Sequence, residues 1–140
     1  MWNGVKIMGI VNVTDDSFVE LSRVDGKEAF ARRVDTLLEK GADIIDIGAV
    51  SSRPGASPVE MEKEWERLEP VLETAAVRYQ GVSFSIDTFR ASIVTRAYCT
   101  IGRFTVNDIS AGQWATLNQR RSAASANIGM LTTILFILFF

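Results

Sequence analysis

The stretch Ile44–Ala56 (IIDIGAVSSRPGA) decides the fold of this 140-residue chain. It opens on a short, isoleucine-rich run and then stops abruptly at Ser51, Ser52, Arg53, Pro54 and Gly55. A strand that is apolar on both faces belongs to a parallel sheet covered by helices. A polar cluster at its carboxyl end is how such sheets build sites, because their strand ends open into one shared crevice. Asp43–Gly48 therefore reads as a strand, too short and β-branched to be an independent helix.

The same grammar recurs on either side. Met8–Phe18 (MGIVNVTDDSF), Ser85–Thr88 (SIDT) and Val106–Gly112 (VNDISAG) each run from apolar residues into Asn, Asp, Ser or Thr. Lys6–Asn12, Val82–Ile86 and Phe104–Asp108 read as the corresponding strands. The intervening segments carry helical periodicity. Asp25-Gly-Lys-Glu28 has capping-box spacing, and Phe30, Val34, Leu37 and Leu38 follow it at helical intervals up to Gly41, a C-terminal glycine. Ser57-Pro-Val-Glu60 is a second capping box with proline at the first helical position. Met61, Trp65, Leu68, Leu72, Ala75, Ala76 and Tyr79 make the apolar stripe behind it, and Pro70 is expected to kink that helix. Ile93, Val94, Ala97 and Tyr98 mark a third helix ending near Gly102. The order β-α-β-α-β-α-β predicts an α/β fold of the (β/α) TIM-barrel type. Four strands amount to the first four β/α units, a partial barrel, since closure takes eight. No G-x-G-x-x-G follows the first strand, which weighs against dinucleotide binding.

Composition sets further bounds. The chain is 47% hydrophobic and 23% charged, with a formal net charge of −2. That is ordinary for a globular domain, and without a basic surplus nucleic acid is not an expected partner. The absence of histidine disfavours a zinc centre and a Ser-His-Asp triad. Cys99 is the only cysteine; it cannot form an internal disulfide, and it reads as a small apolar helix residue. The N-terminus has no basic segment leading into a long apolar one, so a cytoplasmic location is expected. Beyond Gln113 the pattern stops. Residues 113–127 are polar and small, whereas Ile128–Phe140 is almost wholly apolar but shorter than the roughly 20 residues of a membrane helix. We expect 1–112 to form the half-barrel and 113–140 to be a divergent tail outside the native fold, from truncation or a shifted reading frame. A buried element and a tail anchor are the alternatives.

The strand ends carry complementary chemistry. Asn12 offers a carboxamide oxygen suited to a hard cation or a phosphate oxygen; a turn-forming asparagine is the plainer reading. Arg53 supplies paired donors for phosphate, and Ser51 and Ser52 add neutral ones. Phe18 is either a loop anchor or an aromatic wall. Asp46 is expected to point into the barrel, where a carboxylate is costly unless bonded. Asp87 and Asn107 offer an acceptor-only group and a mixed amide, a pair that fits the N–H and C=O edge of a flat heterocycle. Asp87 could instead cap the third helix.

These segments resemble the dihydropteroate synthase family of the folate pathway. Its signatures run M-G-I-L-N-V-T-P-D-S-F, D-I-G-[GA]-x-S-[ST]-R-P-G-A, S-[IV]-D-T and I-N-D-I-S-[AG]-G, and the likeness spans roughly Ile7 to Gly112. The resemblance implies a (β/α)₈ barrel that joins 6-hydroxymethyl-7,8-dihydropterin diphosphate to 4-aminobenzoate, with Mg²⁺ as cofactor and diphosphate released. It implies that Asn12 is the Mg²⁺-linked asparagine. Asp87 and Asn107 would bind the pterin ring, with Asp46 an acidic residue of the same pocket. Ser52 and Arg53 would engage diphosphate and aminobenzoate, with Phe18 and Pro54 lining the aminobenzoate subsite. No residue is assigned as a general acid or base. Diphosphate is a good leaving group, and its departure from the pterin methylene leaves a delocalised cation for the amine to attack.

The sequence also departs from the family pattern. Asp15 stands in place of proline, Val19-Glu-Leu-Ser22 in place of S-D-G-G, and Thr100–Thr105 (TIGRFT) differs from the usual A-G-A-D-I approach to the last strand, which is expected to disturb that strand. The family's second half carries a further pterin-binding Asp, a Lys and an Arg-x-His that have no counterpart here. Low or no turnover is therefore expected of the 140-residue chain. The competing readings are a non-catalytic pterin-binding remnant and another pterin-binding barrel, such as a methyltetrahydrofolate-dependent methyltransferase. The V-T-D-D-S-F and S-S-R-P-G-A loops argue against the latter. A membrane partner is not expected, and a homodimer is left open.

Overall fold

The computed structural model describes residues 5–14, 23–50 and 59–108. Strands β1 (Met8–Asn12), β2 (Ile44–Gly48), β3 (Ser83–Asp87) and β4 (Thr105–Asn107) alternate with helices α1 (Arg23–Glu39), α2 (Met61–Arg78) and α3 (Ala91–Ile101). The strands form one sheet in the order β1-β2-β3-β4, and each neighbouring pair is parallel. Every crossover steps one strand in the same direction. The right hand of such connections then sets all three helices on one face, as in a segment of a (β/α) barrel.

The core lies between that face and the helices. Val11 of β1, Ile45 and Ile47 of β2, and Phe84 and Ile86 of β3 pack with Phe30 and Val34 of α1, Leu68 and Leu72 of α2, and Ile93 and Ala97 of α3. Most are fully buried, and each such aliphatic or aromatic side chain contributes about 1.5–3 kcal/mol by leaving water. Tyr79 fastens α2 to α1, donating to the Ala31 carbonyl at 2.9 Å and to Asp35 Oδ1 at 2.8 Å. Gly9 marks where α1 comes closest to β1: a Cβ there would sit 3.0–3.2 Å from three Leu37 side-chain atoms. Gly9→Val should therefore overpack the contact and cost about 1–3 kcal/mol, measurable as a lower urea midpoint with an unchanged slope.

The expected order of elements stands, with shifts at the ends. Helix α1 starts at Arg23, so Asp25-Gly-Lys-Glu28 falls within its first turns. Asp25 therefore falls inside the helix and not at its N-cap position, so the capping-box spacing marked the helix but not its start. Helix α2 starts at Met61, its N-cap is Glu60, and no side chain caps it; Ser57 and Pro58 lie outside the described residues. It continues past Pro70 to Arg78 as a single helix. Gly41 and Gly102 take positive φ, 90° and 75°, and close α1 and α3 as expected of glycine. Strand β4 has three residues where the other strands have five, in keeping with the unusual TIGRFT approach. Cys99 is on α3 as expected but is exposed, so it is not a packing residue. Among the described residues no helix is long and apolar enough to cross a membrane. The expected 113–140 tail lies outside the described residues.

Candidate functional site

Strand register puts the chemistry on one level. Asn12 lies opposite Gly48, Gly48 opposite Asp87, and Asp87 opposite Asn107. One row lower, Ile10, Asp46, Ser85 and Thr105 are partners in the same way. Side chains two apart on a strand share a face, so Asp46, Ser85, Asp87, Asn107 and Asn12 stand together on the face away from the helices. The other face is almost entirely apolar. The parallel sheet is thus divided into a core side and a chemical side.

Asp46 is buried, as is Ser85. Asn107 Nδ2 donates to Asp46 Oδ2 at 3.2 Å. Asp46 Oδ1 and Ser85 Oγ are buried and make no well-aligned hydrogen bond, but the Ser85 hydroxyl lies close enough to the carboxylate to favour its charged form. Burial raises the Asp46 carboxyl above its usual range, with the Ser85 hydroxyl and the Asn107 amide acting in the opposite sense. The bond from Asn107 Nδ2 leaves that amide's oxygen free of this contact. Asp87 is half-buried, and its carboxyl is pushed up to about 6, chiefly by burial and then by the charges of Asp46, Glu64 and Asp108. Gly48 is the floor between the outer groups. A Cβ at that position would be 3.5 Å from Asn12 Oδ1 and 3.6 Å from Asp87 Oδ2. Any longer side chain would occupy the space where a ligand can meet both.

The loops behind this row are tied down by α2 and by the start of α3. Arg67 Nη1 donates to the Ala49 carbonyl at 2.8 Å, just past the end of β2. Thr88 N–H donates to the Asn107 carbonyl at 3.2 Å, and Thr88 Oγ1 donates to Glu64 Oε1 at 2.7 Å. Arg90 pairs with Glu64 Oε2 and donates to the Val59 carbonyl.

Of the residues the sequence singled out, Asn12, Asp46, Asp87 and Asn107 come together. Phe18, Ser52, Arg53 and Pro54 lie outside the described residues. The alternative role for Asp87 as a helix cap does not hold, because the N-cap of α3 is Arg90. Sequence reading missed Glu64, Arg67 and Arg90, and it gave Thr88, the last residue of the SIDT segment, no role of its own. One signal for Glu64 was present: it lies three residues after Met61 and four before Leu68, so helical period puts a carboxylate on the apolar stripe.

The family model described as pterin binding enzyme matches residues 8–134. Dihydropteroate synthase of Neisseria meningitidis serogroup C is 45% identical over 108 residues, 76% of this chain and 37% of that protein. Among solved structures, Yersinia pestis dihydropteroate synthase in a sulfonamide drug complex superposes with a TM-score of 0.74 at 33% identity, over 89% of this chain and 44% of that one. The Xanthomonas albilineans dihydropteroate synthase with 4-aminobenzoic acid superposes with a TM-score of 0.69 at 32% identity, over 90% of this chain and 45% of that one. The chain thus spans less than half the length of these relatives.

Proposed function

The chain belongs to the pterin binding enzyme family, and from that premise we propose that it carries the pterin side of a dihydropteroate synthase. In this reading it binds 6-hydroxymethyl-7,8-dihydropterin diphosphate for condensation with 4-aminobenzoate. The observation that carries the proposal is the level row Asn12, Gly48, Asp87 and Asn107, with Asp46 bonded behind Asn107. Asp87 accepts from ring N–H groups, and Asn107, held by Asp46, presents its remaining amide valences to the adjacent ring edge. Asp87 and Asn107 are half-buried, which weakens the competition of water for those bonds. Gly48 leaves the ring room to reach both.

Mg²⁺ fits the donor set. Asn12 offers a hard carboxamide oxygen beside the space over Gly48. Among the described residues no group of three or more His, Cys, Asp or Glu stands ready to hold a metal. Magnesium held by one or two protein oxygens plus substrate phosphates needs no such group. Bound there with substrate, it would neutralise charge developing on the departing diphosphate. Ser52 and Arg53 are proposed to share that task, and Phe18 and Pro54 to line the aminobenzoate side, consistent with the 4-aminobenzoic acid bound by the Xanthomonas relative. No protein base is assigned: the C–O bond to diphosphate breaks, the neutral aniline nitrogen forms the C–N bond, and the proton it then sheds passes to water or to the released diphosphate.

Calorimetric titration with 6-hydroxymethylpterin and with its diphosphate tests the reading. Both should bind, the diphosphate more tightly and only in the presence of Mg²⁺. Asn12→Ala should remove that magnesium-dependent gain, about tenfold or 1.4 kcal/mol, and leave the bare pterin unaffected. A folded chain that binds neither ligand would sink the proposal. Diphosphate release on adding 4-aminobenzoate separates turnover from pterin binding alone.

A further inference from the structure

Glu64 is 1% exposed and sits outside the ligand-facing row. A buried carboxylate is costly unless its oxygens are bonded, and here both are used on the chain that follows Asp87. Thr88 Oγ1 donates to one oxygen at 2.7 Å, and the Arg90 guanidinium takes the other. The same threonine oxygen accepts the Arg90 N–H at 3.2 Å, and the Thr88 N–H reaches the Asn107 carbonyl at 3.2 Å. Arg90 also holds the Val59 carbonyl, at the point where the chain enters α2.

We infer that Glu64, Thr88 and Arg90 are positioning residues that set the spacing between Asp87 and Asn107. Thr88 is the hinge of the arrangement. It follows Asp87 directly in the chain, its backbone bonds the residue of β4 that carries the second recognition group, and its hydroxyl is locked by Glu64. None of the three lies in the row that faces the ligand. They act through the backbone, by keeping two strand ends from sliding against each other. The inference rests on the pterin reading above; it gives a role to Thr88, the last residue of the SIDT segment, and adds Glu64 and Arg90, which no strand-end motif contains.

The test compares two buried threonines. Thr88→Val removes only the hydroxyl that Glu64 grips. Thr74→Val removes a hydroxyl that donates to the Pro70 carbonyl at 2.9 Å within α2, remote from the row. A purely structural role predicts the same ligand behaviour for both. Positioning predicts that Thr88→Val weakens 6-hydroxymethylpterin about tenfold, while Thr74→Val leaves it within about twofold. Amide exchange in the ligand-free chain provides the second readout. Exchange at residue 88 should accelerate at least about tenfold in Thr88→Val, with the Ile45 and Ile86 amides unchanged. Unaltered exchange at residue 88, or equal loss of affinity in both variants, overturns the inference. If the unmodified chain binds no pterin, the functional reading falls, and the exchange comparison still decides the positioning role.

Discussion

Glu64→Ala should destabilise the chain by about 3–5 kcal/mol, the scale for breaking a buried ion pair by removing one partner. The loss has three parts. The Arg90 guanidinium, whose side chain is 21% exposed, is left without its counter-charge in a largely dry setting. The Thr88 hydroxyl loses its acceptor. A cavity opens where a fully buried side chain stood. Glu62 is the natural control, since it also pairs with an arginine of α3, Arg96, at 2.8 Å. That pair is solvent-exposed, where water and salt screen it and side-chain entropy opposes it. Glu62→Ala should therefore be indistinguishable from the parent. Urea unfolding followed by tryptophan fluorescence measures both. Similar midpoints for the two variants would refute the account of Glu64.

Asp87→Asn should weaken pterin binding about 100-fold without lowering stability. A charge-assisted hydrogen bond contributes about 1.5–3 kcal/mol, and turning an acceptor-only group into a mixed one also aims an N–H at ring donors. Stability behaves differently because the folded carboxyl is raised to about 6 from 3.8. Between these values the folded chain holds a proton that the unfolded chain has released, so stability falls as pH rises through that window. Above it the charged carboxylate remains a burden on the fold, facing Asp46, Glu64 and Asp108. Asparagine removes that burden, so Asp87→Asn should flatten this part of the stability profile. Binding runs the opposite way: the ionised acceptor is the recognising form, so affinity should rise with pH up to about 6 and level off above it. A variant that binds pterin as the parent does would remove Asp87 from the site.

Much of this was legible along the chain. Short, largely apolar and β-branched runs, separated by amphipathic segments with glycine at their ends, specify parallel strands and covering helices through local sterics and periodicity. The polar residues that close each run, Asn12, Asp87 and Asn107, announce a site because an apolar strand has no other use for them. Asp46 was legible as well, since a carboxylate inside such a run must face away from the apolar core. Helix starts were less legible. Asp25 and Ser57 carried capping signals, yet α1 begins before Asp25 and α2 after Ser57. An acidic or hydroxyl residue near a helix start is favoured at several neighbouring positions, so the motif alone fixes the end only to within a turn.

The sequence by itself therefore determined which elements form, in what order, and which strand ends carry chemistry, because those properties depend on neighbours within a few residues. Only the tertiary structure decided that Asn12, Gly48, Asp87 and Asn107 stand on one level, since register depends on how helices and strands pack across the sheet. It alone joined Glu64 to Thr88 and to Arg90, across 24 and 26 residues of chain. No local period encodes such a partnership. It arises because a carboxylate buried by packing must find its donors among whatever residues the fold brings beside it.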